Sequence, residues 1–134
     1  MDQPLQIHIS SFGYHVSGLP EDHGEHGGGF VFDCRGLPNP GRMEAYQRLT
    51  GLDSAVKAYL DASDEVHEFL HHALRLVELT AKSFRDRRFT SLTVSFGCTG
   101  GQHRSVFCAE WMAEKLQQSG WAVVVDHIDK PDFT

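Results

Sequence analysis

An apolar, β-branched run, Leu92-Thr93-Val94-Ser95-Phe96-Gly97, breaks at Cys98-Thr99-Gly100-Gly101-Gln102-His103-Arg104-Ser105 and passes into helical spacing from Val106. A strand that breaks at glycines and continues as a helix leaves unpaired backbone N–H groups at the helix start, beside the positive end of its dipole. Gly100 and Gly101 let the chain curl and let a ligand come close to the backbone. His103 and Arg104 add donors, and the planar guanidinium fork suits an oxyanion. The junction predicts a pocket for phosphate or a similar anion.

The flanking segments alternate between strand and helix. Leu5 to Ser10 alternates as a strand, Phe30 to Arg35 is a second, Ser91 to Phe96 a third and Ala122 to Asp126 a fourth. Asp53 is a candidate N-cap for a short helix to about Asp61. Ser63-Asp64-Glu65 opens a longer one, striped by Val66, Phe69, Leu70, Ala73, Leu74 and Val77 and running into Lys82–Arg88. A last helix spans about Ser105 to Gln118 and stops at Gly120. This order predicts a single α/β domain over 1–134: a sandwich-like fold with a central sheet of at least four strands, mostly parallel or mixed, flanked by helices. Gly18 to Gly29 reads as a mobile, histidine-bearing loop, and the two prolines and two glycines of 36–41 predict turns rather than regular structure.

Composition excludes several classes. No apolar run reaches the length of a membrane span, and Met1-Asp2-Gln3-Pro4 lacks the basic and apolar parts of an export signal. Three cysteines make no disulfide framework, so a reducing cytoplasm is expected. A formal charge of −6 argues against a general nucleic-acid binder, because phosphate contacts demand a basic surplus. Lys82, Arg85, Arg87 and Arg88 form the one basic cluster, readable as a solvated helix end or as a contact for RNA phosphates.

Three patterns could carry chemistry. Cys98 to Arg104 fits Cys-x5-Arg, with Gly101 and Ser105 where cysteine-dependent phosphatases carry a glycine and a Ser/Thr, so Cys98 is a candidate nucleophile. That chemistry needs an acid for the leaving group; Asp33 and Asp126 are the candidates, and Gly97 stands where many such enzymes have histidine. Anion binding without turnover is the alternative. His67-Glu68-Phe69-Leu70-His71 matches a zinc-protease pattern, although no distant third ligand accompanies it, and no metal or cofactor is expected. Asp33 and Arg35 fall on one side of the second strand; beside the third strand they would stand near the Cys98 loop, as ligand contacts or as a strand-end ion pair. His23 and His26 are expected to be solvated, and Cys34 and Cys108 to be small buried groups.

Five segments in order, Ser11-Phe12-Gly13-Tyr14, Val31 to Pro40, Leu49 to Asp53, Glu65-Val66-His67 and Gly97 to Val106, resemble one family. It is the C-terminal domain of the RapZ (YvcJ-like) RNase adaptor proteins of bacteria, and the likeness covers about residues 8–128. The resemblance implies a cytoplasmic α/β domain that binds a phosphorylated small molecule such as a hexosamine phosphate or a nucleotide, serves as a sensor, self-associates and in some members engages RNA or a partner protein. By position it implies pocket roles for Asp33, Arg35, Asn39, Thr99, Gly100, Gly101, His103 and Arg104. It speaks against turnover at Cys98 and against zinc at His67 and His71. No Gly-x4-Gly-Lys-Ser/Thr sequence occurs, so nucleotide hydrolysis is not expected, and the acidic stretch from Asp126 stands where relatives carry a basic tail.

Overall fold

The computed structural model describes residues 4–21 and 26–129. Four strands, β1 (Gln6–Gly13), β2 (Gly29–Asp33), β3 (Ser91–Cys98) and β4 (Ala122–His127), form one sheet in the order β2-β3-β1-β4. Every neighbouring pair is parallel, so the expected α/β class holds with a purely parallel sheet. Three helices accompany it: α1 (Ser54–Asp61), α2 (Asp64–Asp86) and α3 (Arg104–Gln118).

Side-chain alternation decides which face is covered. Ile7, Ile9, Leu92, Val94 and Phe96 point to one side, where they join Leu70, Val77, Met112 and Leu116 in a single buried cluster. The opposite side carries His8, Ser10, Thr93 and Val124. The eight residues of α1 are too few to stand alone in water, and burial of Val56 and Leu60 holds them. Along α2 the buried stripe is Val66, Leu70, Ala73, Val77 and Ala81, with Phe69 and Leu74 packed at its border. Ser63 caps this helix, its Oγ accepting from the Val66 N–H at 3.4 Å.

Several expectations change in the folded chain. Asp53 precedes α1 but makes no capping bond; its carboxylate turns back to accept from the Thr50 N–H at 2.7 Å. β1 runs past Ser10 because Ser11, Phe12 and Gly13 continue the ladder opposite Phe96, Gly97 and Cys98. Within the predicted turn region, Pro40–Arg42 closes a short 3-10 helix, since proline presets the first φ and Asn39 Oδ1 accepts from the Gly41 N–H at 2.9 Å. A second such turn is Glu44–Tyr46. His26 is not merely solvated: its ring stacks on Phe89 at 4.1 Å, and its Nε2 accepts from the Thr90 N–H at 3.1 Å. His23 and the end of the acidic tail lie outside the described residues. Cys34 and Cys108 are buried as expected, and burial pushes the Cys34 thiol well above the ordinary thiol range. Among the described residues no helix is long and apolar enough to cross a membrane.

Candidate anion-binding site

The 98–104 loop sits at the C-terminal edge of the sheet, between β3 and the first turn of α3. No side chain caps α3, so its first-turn N–H groups are left without a side-chain acceptor. A cavity of about 230 Å³ opens against this loop, lined by Asn39, Gly41, Gln47, Cys98, Thr99, Gly100, Gln102, His103 and Arg104. Of the residues singled out from the sequence, Asn39, Cys98, Thr99, Gly100, His103 and Arg104 therefore line one pocket.

Arg104 is only 5% exposed. One terminal nitrogen donates to the backbone oxygens of Arg35 at 2.9 Å and Leu37 at 3.2 Å, which ties α3 to the turn after β2. Its Nε is buried and has no hydrogen-bond partner among the described residues. An unpaired N–H on a buried cation is costly.

The opposite wall, residues 39–51, is strapped to the loop. Gln102 Nε2 donates to Gln47 O at 2.8 Å and Leu49 O at 2.7 Å, and the Gly51 N–H donates to Gln102 O at 3.0 Å. His103 lies 2.8 Å from Tyr46 O through Nε2. A carbonyl only accepts, so Nε2 carries the proton and the Nδ1 edge faces Gly41.

Cys98 is 3% exposed, and its thiol donates to Ser105 Oγ at 3.1 Å. Ser105 is fully buried behind the cysteine and does not reach the cavity. Gly101 also stays outside the lining, with a φ of 70° that favours glycine and its backbone against Gly13. Gly97 cannot be a histidine here, because a Cβ on it would stand 2.4 Å from Phe12 Cζ and 2.6 Å from Tyr14 Cε2.

Asp33 and Arg35 reach the same sheet edge but face each other. Arg35 Nε and Nη2 meet the carboxylate at 2.9 and 2.7 Å, and the guanidinium lies 3.9 Å over the Tyr14 ring. The Arg35 hydrogen bonds hold the Asp33 carboxyl below its usual range, against the opposing effect of burial. Both side chains remain about half exposed, and neither lines the cavity. Asp126 sits on the uncovered sheet face, in a groove with His8, Ser10 and Thr93, away from Cys98. The cavity lining holds no carboxylate.

The His67–His71 pattern serves packing. His67 Nε2 lies 2.8 Å from the backbone oxygen of Asp61 and 3.2 Å from its carboxylate, bridging α1 and α2. His71 sets its ring edge-on to Trp111 at 5.4 Å. Among the described residues no three His, Cys, Asp or Glu side chains gather to hold a metal.

Sequence reasoning missed Gln47, Gln102 and Gly51. Gln102 had a signal in its place between Gly101 and His103; Gln47 had none, because a glutamine near a turn has no motif.

Residues 5–131 match the model of the RapZ C-terminal domain. A protein called "nucleotide-binding protein" from Paraburkholderia phytofirmans is 44% identical over 130 residues, which is 97% of this chain and 41% of that protein. Similar proteins of Paraburkholderia xenovorans, at 43% over 130 residues, and Burkholderia mallei, at 42% over 127, carry the same description. The chain thus spans about 41% of the length of these relatives. Because the match covers residues 5–131 of the 134, the chain belongs to the RapZ C-terminal domain family.

Proposed function

We propose that the 98–104 loop binds the phosphate of a small phosphorylated metabolite, and that the chain works as a sensor or regulatory module rather than as a catalyst. The observation that carries this reading is Arg104: the residue lines the cavity beside the uncapped start of α3, and its buried Nε has no hydrogen-bond partner among the described residues. Thr99, Gly100 and His103 complete the cradle, while Asn39 and Gln47 offer amides to the rest of the ligand. Asp33 and Arg35 stand beside the mouth and would take part only if their mutual pair opened.

The size and chemistry of the cavity favour a sugar phosphate. Its volume of about 230 Å³ lies below the roughly 300–1,000 Å³ of sites that enclose larger ligands. Among the described residues no Phe, Tyr or Trp ring lines it for a base to stack on. A nucleotide is the second reading, favoured by the description of the longer relatives. Turnover at Cys98 finds no carboxylic acid in the lining, and the RNA-adaptor reading rests on Lys82, Arg85, Arg87 and Arg88, where Arg85 already lies over Trp121 and beside Asp86.

Thermal unfolding with a hexose 6-phosphate and with a nucleoside monophosphate at equal concentration separates the readings. The hexose phosphate is expected to raise the midpoint more. A response to the nucleotide alone would establish the second reading, and no response to either would overturn phosphate binding.

A further inference from the structure

We propose that Asp129, one turn past β4, is the positioning residue that braces the anion loop from behind; this rests on the phosphate reading of the loop. Its Oδ2 accepts from the Gly13 N–H at 2.7 Å, from Ser17 Oγ at 2.7 Å and from the Ser17 N–H at 3.4 Å. Gly13 ends β1 and is the seat of the loop. A Cβ on Gly13 would stand 2.7 Å from Gly100 C and 2.9 Å from Gly101 N. Conversely, a Cβ on Gly101 would stand 2.8 Å from Gly13 N and 3.2 Å from Asp129 Cβ. The carboxylate therefore holds the backbone group on which Gly101 rests.

The turn that Asp129 ties down is also bonded to the loop's outer edge. The Tyr14 N–H donates to Cys98 O at 2.8 Å and the His15 N–H to Thr99 O at 3.1 Å. Asp129 is itself delivered by a rigid strand end: the Ile128 N–H donates to Ser11 O at 2.9 Å, and His127 bridges Ser11 Oγ at 2.6 Å and Glu110 at 2.8 Å. A carboxylate near an anion site opposes anion binding by simple Coulomb repulsion. Its three converging hydrogen bonds assign it a holding role instead, since charge-assisted bonds to backbone N–H fix position.

All three donors meet one oxygen, so asparagine can replace the acceptor while alanine cannot. The test measures inorganic phosphate affinity by calorimetry and amide hydrogen exchange without ligand for Asp129→Ala, Asp129→Asn and Ser17→Ala. Asp129→Ala is expected to weaken phosphate binding about tenfold, the scale of a lost hydrogen bond to a charged group. It should also speed exchange at Tyr14 and His15 while leaving α2 protected. Asp129→Asn should restore slow exchange and bind phosphate at least as tightly as the original chain, because the geometry stays and the repulsion goes. Ser17→Ala should fall between, and it carries the test if the alanine variant does not fold. Unchanged exchange and affinity in both Asp129→Ala and Ser17→Ala would overturn the brace, as would an asparagine variant no better than alanine. If the unmodified chain ignores phosphate while exchange responds as stated, the brace stands and the phosphate reading fails.

Discussion

Arg104→Ala is expected to abolish stabilisation by phosphate. At a concentration near a hundred times its dissociation constant, a ligand that binds only the folded state adds about 2.7 kcal/mol. For a chain of this size that is a midpoint rise on the order of 10 °C. Arg104 supplies the one buried cation of the cavity, and its Nε is the donor without a partner, so alanine removes both the charge and the unmet bond. The same change frees the carbonyls of Arg35 and Leu37, which costs roughly 1–3 kcal/mol of intrinsic stability. The two effects separate experimentally. Lower stability shifts the midpoint with and without phosphate, whereas loss of the site removes the difference between them. Arg104→Lys keeps a charge but not the fork, and should retain only a small part of the response. An undiminished phosphate response in the alanine variant would contradict the assignment.

Gly51→Ala should be a strongly damaging single-methyl change at the strap. A Cβ there would stand 2.5 Å from His103 O, 2.6 Å from Phe107 N and 2.9 Å from Val106 Cβ. Two of these are backbone atoms at the start of α3, which cannot yield as a flexible side chain does. The alternative is for the strap to lift, breaking the bonds of Gly51 to Gln102 and of Gln102 to Gln47 and Leu49. Overpacking of this kind costs about 1–3 kcal/mol, and the lost hydrogen bonds add to it. Because Asn39 and Gln47 line the cavity from that strap, sugar-phosphate affinity should fall with stability. Denaturant unfolding alongside ligand titration checks both. A change under about 0.5 kcal/mol, the ordinary scatter of a surface substitution, would show that strap and helix are not packed as described.

The parts of this fold written in local periodicity were legible. The β-branched runs and the helical stripe from Val66 to Val77 placed the strands and α2, because alternation and 3.6-residue spacing are local properties. The loop stood out as a candidate anion site for the same reason: its glycines, His103 and Arg104 are consecutive. What Arg104 does was not. Its carbonyl partners lie 67 and 69 residues away, and only the pairing of β2 with β3 brings them there. The same pairing delivers Asp33 and Arg35 to the right edge, yet their spacing equally fits the ion pair that forms. His26 looked solvated among glycines because nothing nearby announces Phe89, whose ring it covers from across the chain. Asp53 sat at a helix start, but Thr50 offered its carboxylate closer donors than the helix did.

The central claim is that phosphate enters the 98–104 loop and satisfies Arg104. Titration of the isotopically labelled chain with inorganic phosphate, followed by amide and arginine Nε–H correlation spectra, tests it directly. Saturable shifts are predicted at Thr99, Gly100 and the first turn of α3, together with a sharpened Arg104 Nε–H signal, while His8 and Val124 on the uncovered sheet face stay still. Absence of saturation at these amides, or shifts confined to Lys82–Arg88, would contradict the account.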